Sequence, residues 1–97
     1  MALADTDGLL VIEETLAAGC GEKRHYHNEA TQCFYIHEGT ALMKIDGCNV
    51  ALAQGMAPQI QAGTRYAIAN ESSNKIRFLV TSSPLSRSDR HEIVVKK

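Results

Sequence analysis

Apolar residues along the chain fall into short runs, several with a period of two, and no window of helix length carries the 3.6-residue spacing of an amphipathic helix. Val, Ile, Leu, Tyr and Phe dominate these runs, and Gly, Asn, Asp and Ser separate them, which is the texture of short β-strands. Strands are predicted at Leu9 to Leu16, Lys23 to His27, Gln32 to His37, Ala41 to Ile45, Cys48 to Leu52, Ala57 to Ile60, Tyr66 to Ala69 and Ile76 to Thr81, with an edge strand at Ile93 to Val95. Asp46-Gly47 divides the alternating runs Leu42, Lys44 and Val50, Leu52. A two-residue type I′ turn needs positive φ at both central positions, which Asp-Gly tolerates, so a hairpin is predicted there. Gly39, Gly55 and Gly63 mark further junctions, and Asn70 to Asn74 is a solvated turn. After Pro84 the chain is polar from Ser86 to Glu92. The expected organisation is therefore one domain over residues 1–97, with a barrel over about 8–84 and a polar C-terminal tail over 85–97 that packs along its edge. Many short strands at this spacing predict an all-β barrel or sandwich, and closure of the sheet is one way such folds remove exposed edges.

Composition narrows the possible partners. Of 97 residues, 44% are hydrophobic and 22% charged, a balance that supports one folded domain. The net charge is -1 and the basic residues are scattered, so there is no footprint for a phosphate backbone and no nucleic-acid partner is expected. The longest apolar runs, such as Leu9 to Ile12, fall far short of the roughly 20 residues of a membrane helix, so no membrane partner is expected either. The N-terminus carries no secretory pattern, and the expected location is cytoplasmic. Cys20, Cys33 and Cys48 have no CxxC spacing and are expected as reduced, isolated thiols that serve packing.

The candidate chemistry lies in two neighbouring strands. His25 and His27 are two apart, and alternate residues of a strand share a face, so both imidazoles can converge on one point. By the same alternation Gln32 shares a face with Phe34 and Ile36, the positions expected to be buried, and is predicted to point into the barrel. His37 is offset by one and is predicted to face away from the cavity, in a structural or interfacial role. The outward set Cys33, Tyr35 and His37 is apolar enough to predict a covered face, hence a homodimer. Glu29 is expected as an exposed loop residue.

Two stretches carry a family resemblance. Gly19, His25, His27, Gln32 and Gly39 resemble the first signature motif of the cupin family, in which Gly, His, His, Glu and Gly fall at these separations. Gly55, Gly63 and Asn70 match the second motif, with a short intermotif segment from Thr40 to Gln54 of the kind seen in small single-domain members. The resemblance spans about Leu9 to Pro84. It implies a cupin-type antiparallel β-barrel, or jelly roll, and a metal site made of two histidines, a carboxylate and a third histidine. Here Gln32 stands at the carboxylate, Tyr66 at the third histidine and Gln61 at the second-motif proline.

The resemblance therefore implies a divalent or transition metal held by His25, His27, Gln32 and Tyr66, beside a small organic ligand or substrate in a pocket that includes Phe34, Ile36 and Arg65. That set carries no formal negative charge unless Tyr66 ionises. Tyr66 as a phenolate would restore the missing charge; the candidate metals are iron, copper, zinc or nickel, and hard magnesium and calcium are disfavoured. The alternative is a metal-free barrel in which the Tyr66 hydroxyl bonds to Gln32 or His25 and the cavity binds or senses a small molecule without catalysis. A metal-dependent enzyme is weakened by Gln32, which supplies neither the carboxylate of a facial triad nor a general base. No catalytic residue is assigned.

Overall fold

The computed structural model describes residues 2–6, 8–27, 29–83 and 90–92. They form ten strands: β1 Ala2–Thr6, β2 Leu9–Leu16, β3 His25–His27, β4 Thr31–Glu38, β5 Ala41–Ile45, β6 Cys48–Leu52, β7 Gln59–Ile60, β8 Tyr66–Ala69, β9 Ile76–Ser83 and β10 Arg90–Glu92. The strands make two five-stranded antiparallel sheets, one in the order β1-β2-β9-β4-β7 and the other β10-β3-β8-β5-β6. This is the double-sheet jelly roll, an all-β architecture as the period-two pattern predicts.

Alternation along the long strands builds the interior. In β4, Gln32, Phe34 and Ile36 are buried while Tyr35 is exposed, and in β9 Ile76, Phe78, Val80 and Ser82 are buried at every second position. Register carries the same face across the sheet: Leu10, Ser82 and Gln32 stand in one row, Ile12, Val80 and Phe34 in the next, and Glu14, Phe78 and Ile36 in the third. The opposite sheet contributes Ala41, Met43, Leu52, Tyr66 and Ile68, which pack with Phe34, Ile36, Ile76 and Phe78 into one core. Burying a side chain of this size is worth about 1.5 to 3 kcal/mol, so the core and not the strands' intrinsic preference holds the sheets together.

Turn chemistry fixes two junctions. Asp46 and Gly47 have φ of 47° and 86°, and the strands they join pair from Ile45↔Cys48 to Ala41↔Leu52, the predicted hairpin. Gly39 has φ of 88°, and a Cβ there would lie 2.8 Å from Ile76 Cγ2 and 3.1 Å from the Lys75 carbonyl oxygen. Only glycine fits at this close of the first motif, just past a bulge in β4 between Ile36 and Glu38.

Several predicted boundaries shift, each for a local reason. β1 has no counterpart among the predicted strands, because Ala and Asp are poor strand formers; it exists by pairing with β2, from Ala2↔Ile12 to Thr6↔Leu9. β3 is shorter than predicted, since the Lys23 carbonyl is taken by a side chain and not by a ladder. In the segment Ala57 to Ile60 only Gln59–Ile60 is strand: Pro58 has no N–H to give, although its carbonyl accepts from the Phe34 N–H at 3.0 Å. The sheets reach beyond 8–84 at both ends, for Arg90–Glu92 within the expected tail forms β10 and pairs with β3. Residues 84–89 and the edge strand expected at Ile93 to Val95 lie outside the described residues. Cys20 and Cys48 are exposed and Cys33 is half-buried, and all three are free thiols.

Candidate functional site

The site is built on β3. His25 and His27 are both buried, with Tyr26 between them half-buried, so the two imidazoles share the inner face of the strand. Their rings meet edge to face with centroids 5.4 Å apart. His25 Nδ1 lies 2.8 Å from the Lys23 carbonyl oxygen, and a carbonyl only accepts, so this nitrogen carries the proton. In the neutral ring, Nε2 then presents a lone pair.

Tyr66 is the register partner of His25 and is 1% exposed. Its ring packs 4.5 Å from that of His25 and 5.5 Å from that of Phe34, centroid to centroid. Its hydroxyl donates to Gln32 Oε1, and Gln32 Nε2 donates in turn to Ser82 Oγ at 2.7 Å. Both ends of the buried amide are thus committed, and a hydroxyl that donates is a neutral phenol. Gln32 and Tyr66, which the resemblance makes metal ligands, are instead bonded to each other.

A cavity of about 170 Å³ opens beside this chain of bonds. Leu10, Ile12, Phe34 and Val80 form its apolar wall, and His25, His27, Gln32, Tyr66 and Ser82 its polar side. Glu14 and Glu22 complete the lining, each half-buried, so they stand where the cavity meets water. Two of the expected pocket residues are elsewhere. Ile36 is fully buried in the core and does not reach the lining, and Arg65 is exposed, its guanidinium 5.7 Å above the Tyr26 ring on the outer side of β3. Arg65 immediately precedes Tyr66, the first residue of β8, and therefore takes the opposite side of the sheet.

Sequence reasoning missed Glu14, Glu22 and Ser82. Glu14 and Ser82 have a signal, because they share strand parity with Leu10, Ile12 and Val80. Glu22 has none, since it sits before β3 and is placed by tertiary bonds: its N–H donates to the Ile68 carbonyl at 2.9 Å, and Gly19 N–H to the Asn70 carbonyl at 2.8 Å. The second-motif Asn70 is buried and structural. Its amide donates to the Leu16 and Asn74 carbonyls at 3.0 and 2.7 Å, and its oxygen accepts from Ser72 N–H and Oγ at 3.0 and 2.6 Å. Glu29 is exposed; His37 faces outward, stacked on Tyr35 with ring centroids 6.5 Å apart.

The donor set does not complete a metal centre of the family's kind. Among the described residues no group of three His, Cys, Asp or Glu side chains could hold an ion. Two histidines remain, while the amide and phenol at the other two ligand positions are turned toward each other. No helix long and apolar enough to cross a membrane is present among the described residues.

Comparison with known proteins gives the fold its family. The structure of TT1209 from Thermus thermophilus superposes with a TM-score of 0.82 at 26% identity, over 87% of this chain and 80% of that one. KdgF from a Halomonas species matches with a TM-score of 0.81 at 20% identity, covering 90% of this chain and 78% of that one. A predicted oxalate decarboxylase from Thermotoga maritima matches with a TM-score of 0.75 at 22% identity, covering 78% and 66%. No curated protein sequence matches. A family model described as a cupin domain matches residues 12–82, from the middle of β2 to the end of the Gln32–Ser82 row, and by that match the chain belongs to the cupin family.

Proposed function

We propose that this protein is a small-molecule-binding cupin that needs no metal to hold its ligand. The cavity takes a molecule of about the size of benzene, for which an apolar void of roughly 150 Å³ suffices. His25 Nε2, His27 and the Tyr66–Gln32–Ser82 chain are its polar anchors. The observation that carries this reading is the Tyr66 hydroxyl donating to Gln32, because it satisfies the two substituted positions without an ion. Catalysis is not part of the reading. KdgF and the predicted oxalate decarboxylase support a barrel of this shape, and their likeness to this chain extends to the fold alone.

A second reading keeps the metal. The bond from His25 Nδ1 to the Lys23 carbonyl turns the Nε2 lone pair to the cavity side, the orientation a metal-bound imidazole uses, so iron, copper, zinc or nickel could sit on His25 and His27. Bound there, the ion would act as a Lewis acid. Amide NMR titration of chelator-treated protein with a set of small aromatic and polar fragments separates the two. Shifts in β3, β4 and β8 without metal, lost in Val80→Phe, support the metal-free reading. Fragments that bind only after zinc or nickel is added, with His25→Ala abolishing the effect, would replace it with the second.

A further inference from the structure

We propose that the cavity's ligand is a small neutral carbonyl compound whose oxygen accepts a hydrogen bond from the Ser82 hydroxyl. The proposal rests on the cavity being a ligand site and goes further in naming the chemistry of what fills it.

The first observation is an unspent donor. The buried chain of bonds has a direction: the Tyr66 hydroxyl donates to Gln32 Oε1, and Gln32 Nε2 donates to Ser82 Oγ. Ser82 therefore accepts, and its own O–H is left over. Ser82 is 1% exposed and lines the cavity, and among the described residues its hydroxyl hydrogen meets no acceptor. Leaving a buried donor unpaired costs more than an ordinary hydrogen bond gains. Water entering through the cavity mouth can take this hydrogen, so a ligand that displaces the water must accept it instead. Hydrogen bonds in series polarise one another, and the two donors upstream strengthen the last one.

The second observation is what surrounds that donor. Ser82 and Val80 share the inner face of β9, two residues and so about 7 Å apart along the strand. Leu10 stands beside Ser82 in its row, Ile12 and Phe34 flank Val80 in the next, and all four apolar side chains line the cavity. A ligand lying along β9 thus meets a donor at its head and an apolar wall along its body. A carbonyl oxygen suits the head, because it accepts without bringing a donor that would need a partner of its own. A carboxylate would surrender its hydration beside that wall for one hydrogen bond from Ser82, a costly exchange for a charge. The volume of about 170 Å³ admits a ring of about five or six atoms that carries the oxygen.

The test uses two probes of one shape, cyclopentanone and methylenecyclopentane, in which a CH2 group replaces the oxygen. Affinities are read by amide NMR titration of chelator-treated protein, in wild type and in Ser82→Cys, whose thiol keeps a contact for Gln32 but is a weak donor. The ratio of ketone to alkene affinity is expected to fall about three- to tenfold in the variant, the worth of one hydrogen bond, while the alkene's own affinity holds. A second measurement needs only the unmodified protein. The shift of an isotope-labelled carbonyl carbon in the bound ketone is expected near its value in an alcohol. A value near that in a hydrocarbon solvent, or an unchanged affinity ratio in a folded variant, overturns the proposal. Either result with both probes in the cavity would sink this proposal alone; failure of both probes, and of the wider fragment set, to shift β3, β4 and β8 would sink the ligand-site reading as well.

Discussion

Tyr66 and Gln32 show how two substitutions can compensate each other. An amide and a phenol inside a barrel are each costly to bury alone, and together with Ser82 they satisfy one another. Tyr66→Phe leaves Gln32 Oε1 without that donor and is expected to lower unfolding free energy by about 1 to 3 kcal/mol in urea denaturation. In the double variant with Gln32→Leu the loss should be smaller than the sum of the two single losses; strict additivity would show that the bond is not coupled in solution. At the surface, Arg77 hydrogen-bonds Glu13 and holds its carboxyl below the usual glutamate range, with burial acting in the opposite direction and the guanidinium's charge adding to the lowering. A depressed carboxyl stabilises the fold above its unfolded-state value, and that contribution disappears as pH falls through the folded value. Urea midpoints measured from neutral to acid pH should therefore decline more in wild type than in Glu13→Gln, by a small amount for an exposed pair. Parallel profiles would contradict the pairing.

Among the strands, the one that carries the histidines is held unevenly by its two neighbours. β3 is three residues long and meets β8 through one register pair, His25↔Tyr66, whereas β10 pairs with all three of its residues. The stretch expected as a passive tail thus supplies most of the ladder that holds the site in place. A chain ended after Ser83 is expected to fold through its core, with backbone amides of β3 exchanging at least about tenfold faster while those of β4 and β9 keep their protection. Unchanged exchange in β3 would show that β8 and the histidine contacts suffice. Glycine at Gly39 and the Asp46-Gly47 turn, by contrast, were legible from sequence, because a positive φ leaves few residue choices.

Joined as a barrel, the two sheets enclose one core and leave a continuous outer face on β2, β9 and β4. Val11, Thr81 and Cys33 make one row of it and Glu13, Leu79 and Tyr35 the next, with Tyr35 42% exposed. A second copy of this chain is proposed to cover that face, making a homodimer. Light scattering coupled to size exclusion should give twice the chain mass at micromolar concentration, and Tyr35→Glu should halve it; a monomeric wild type would end the proposal.

The period-two strands, the Asp46-Gly47 hairpin, the inner face of β4 and the convergence of His25 with His27 were all readable along the chain, because each follows from local geometry. So was the family, through two spaced motifs that lie within the matched residues 12–82. Other features exist only once the chain is packed. β1 and β10 form as partners of other strands, Glu22 is set beside the cavity by backbone bonds from its loop to β8, and Arg65 is carried to the far side by the parity of Tyr66. Above all, the sequence leaves Tyr66 a choice of Gln32, His25 or a metal, and the pairing with Gln32 depends on two strands of opposite sheets meeting across the barrel, a distance in space that spacing along a chain does not encode.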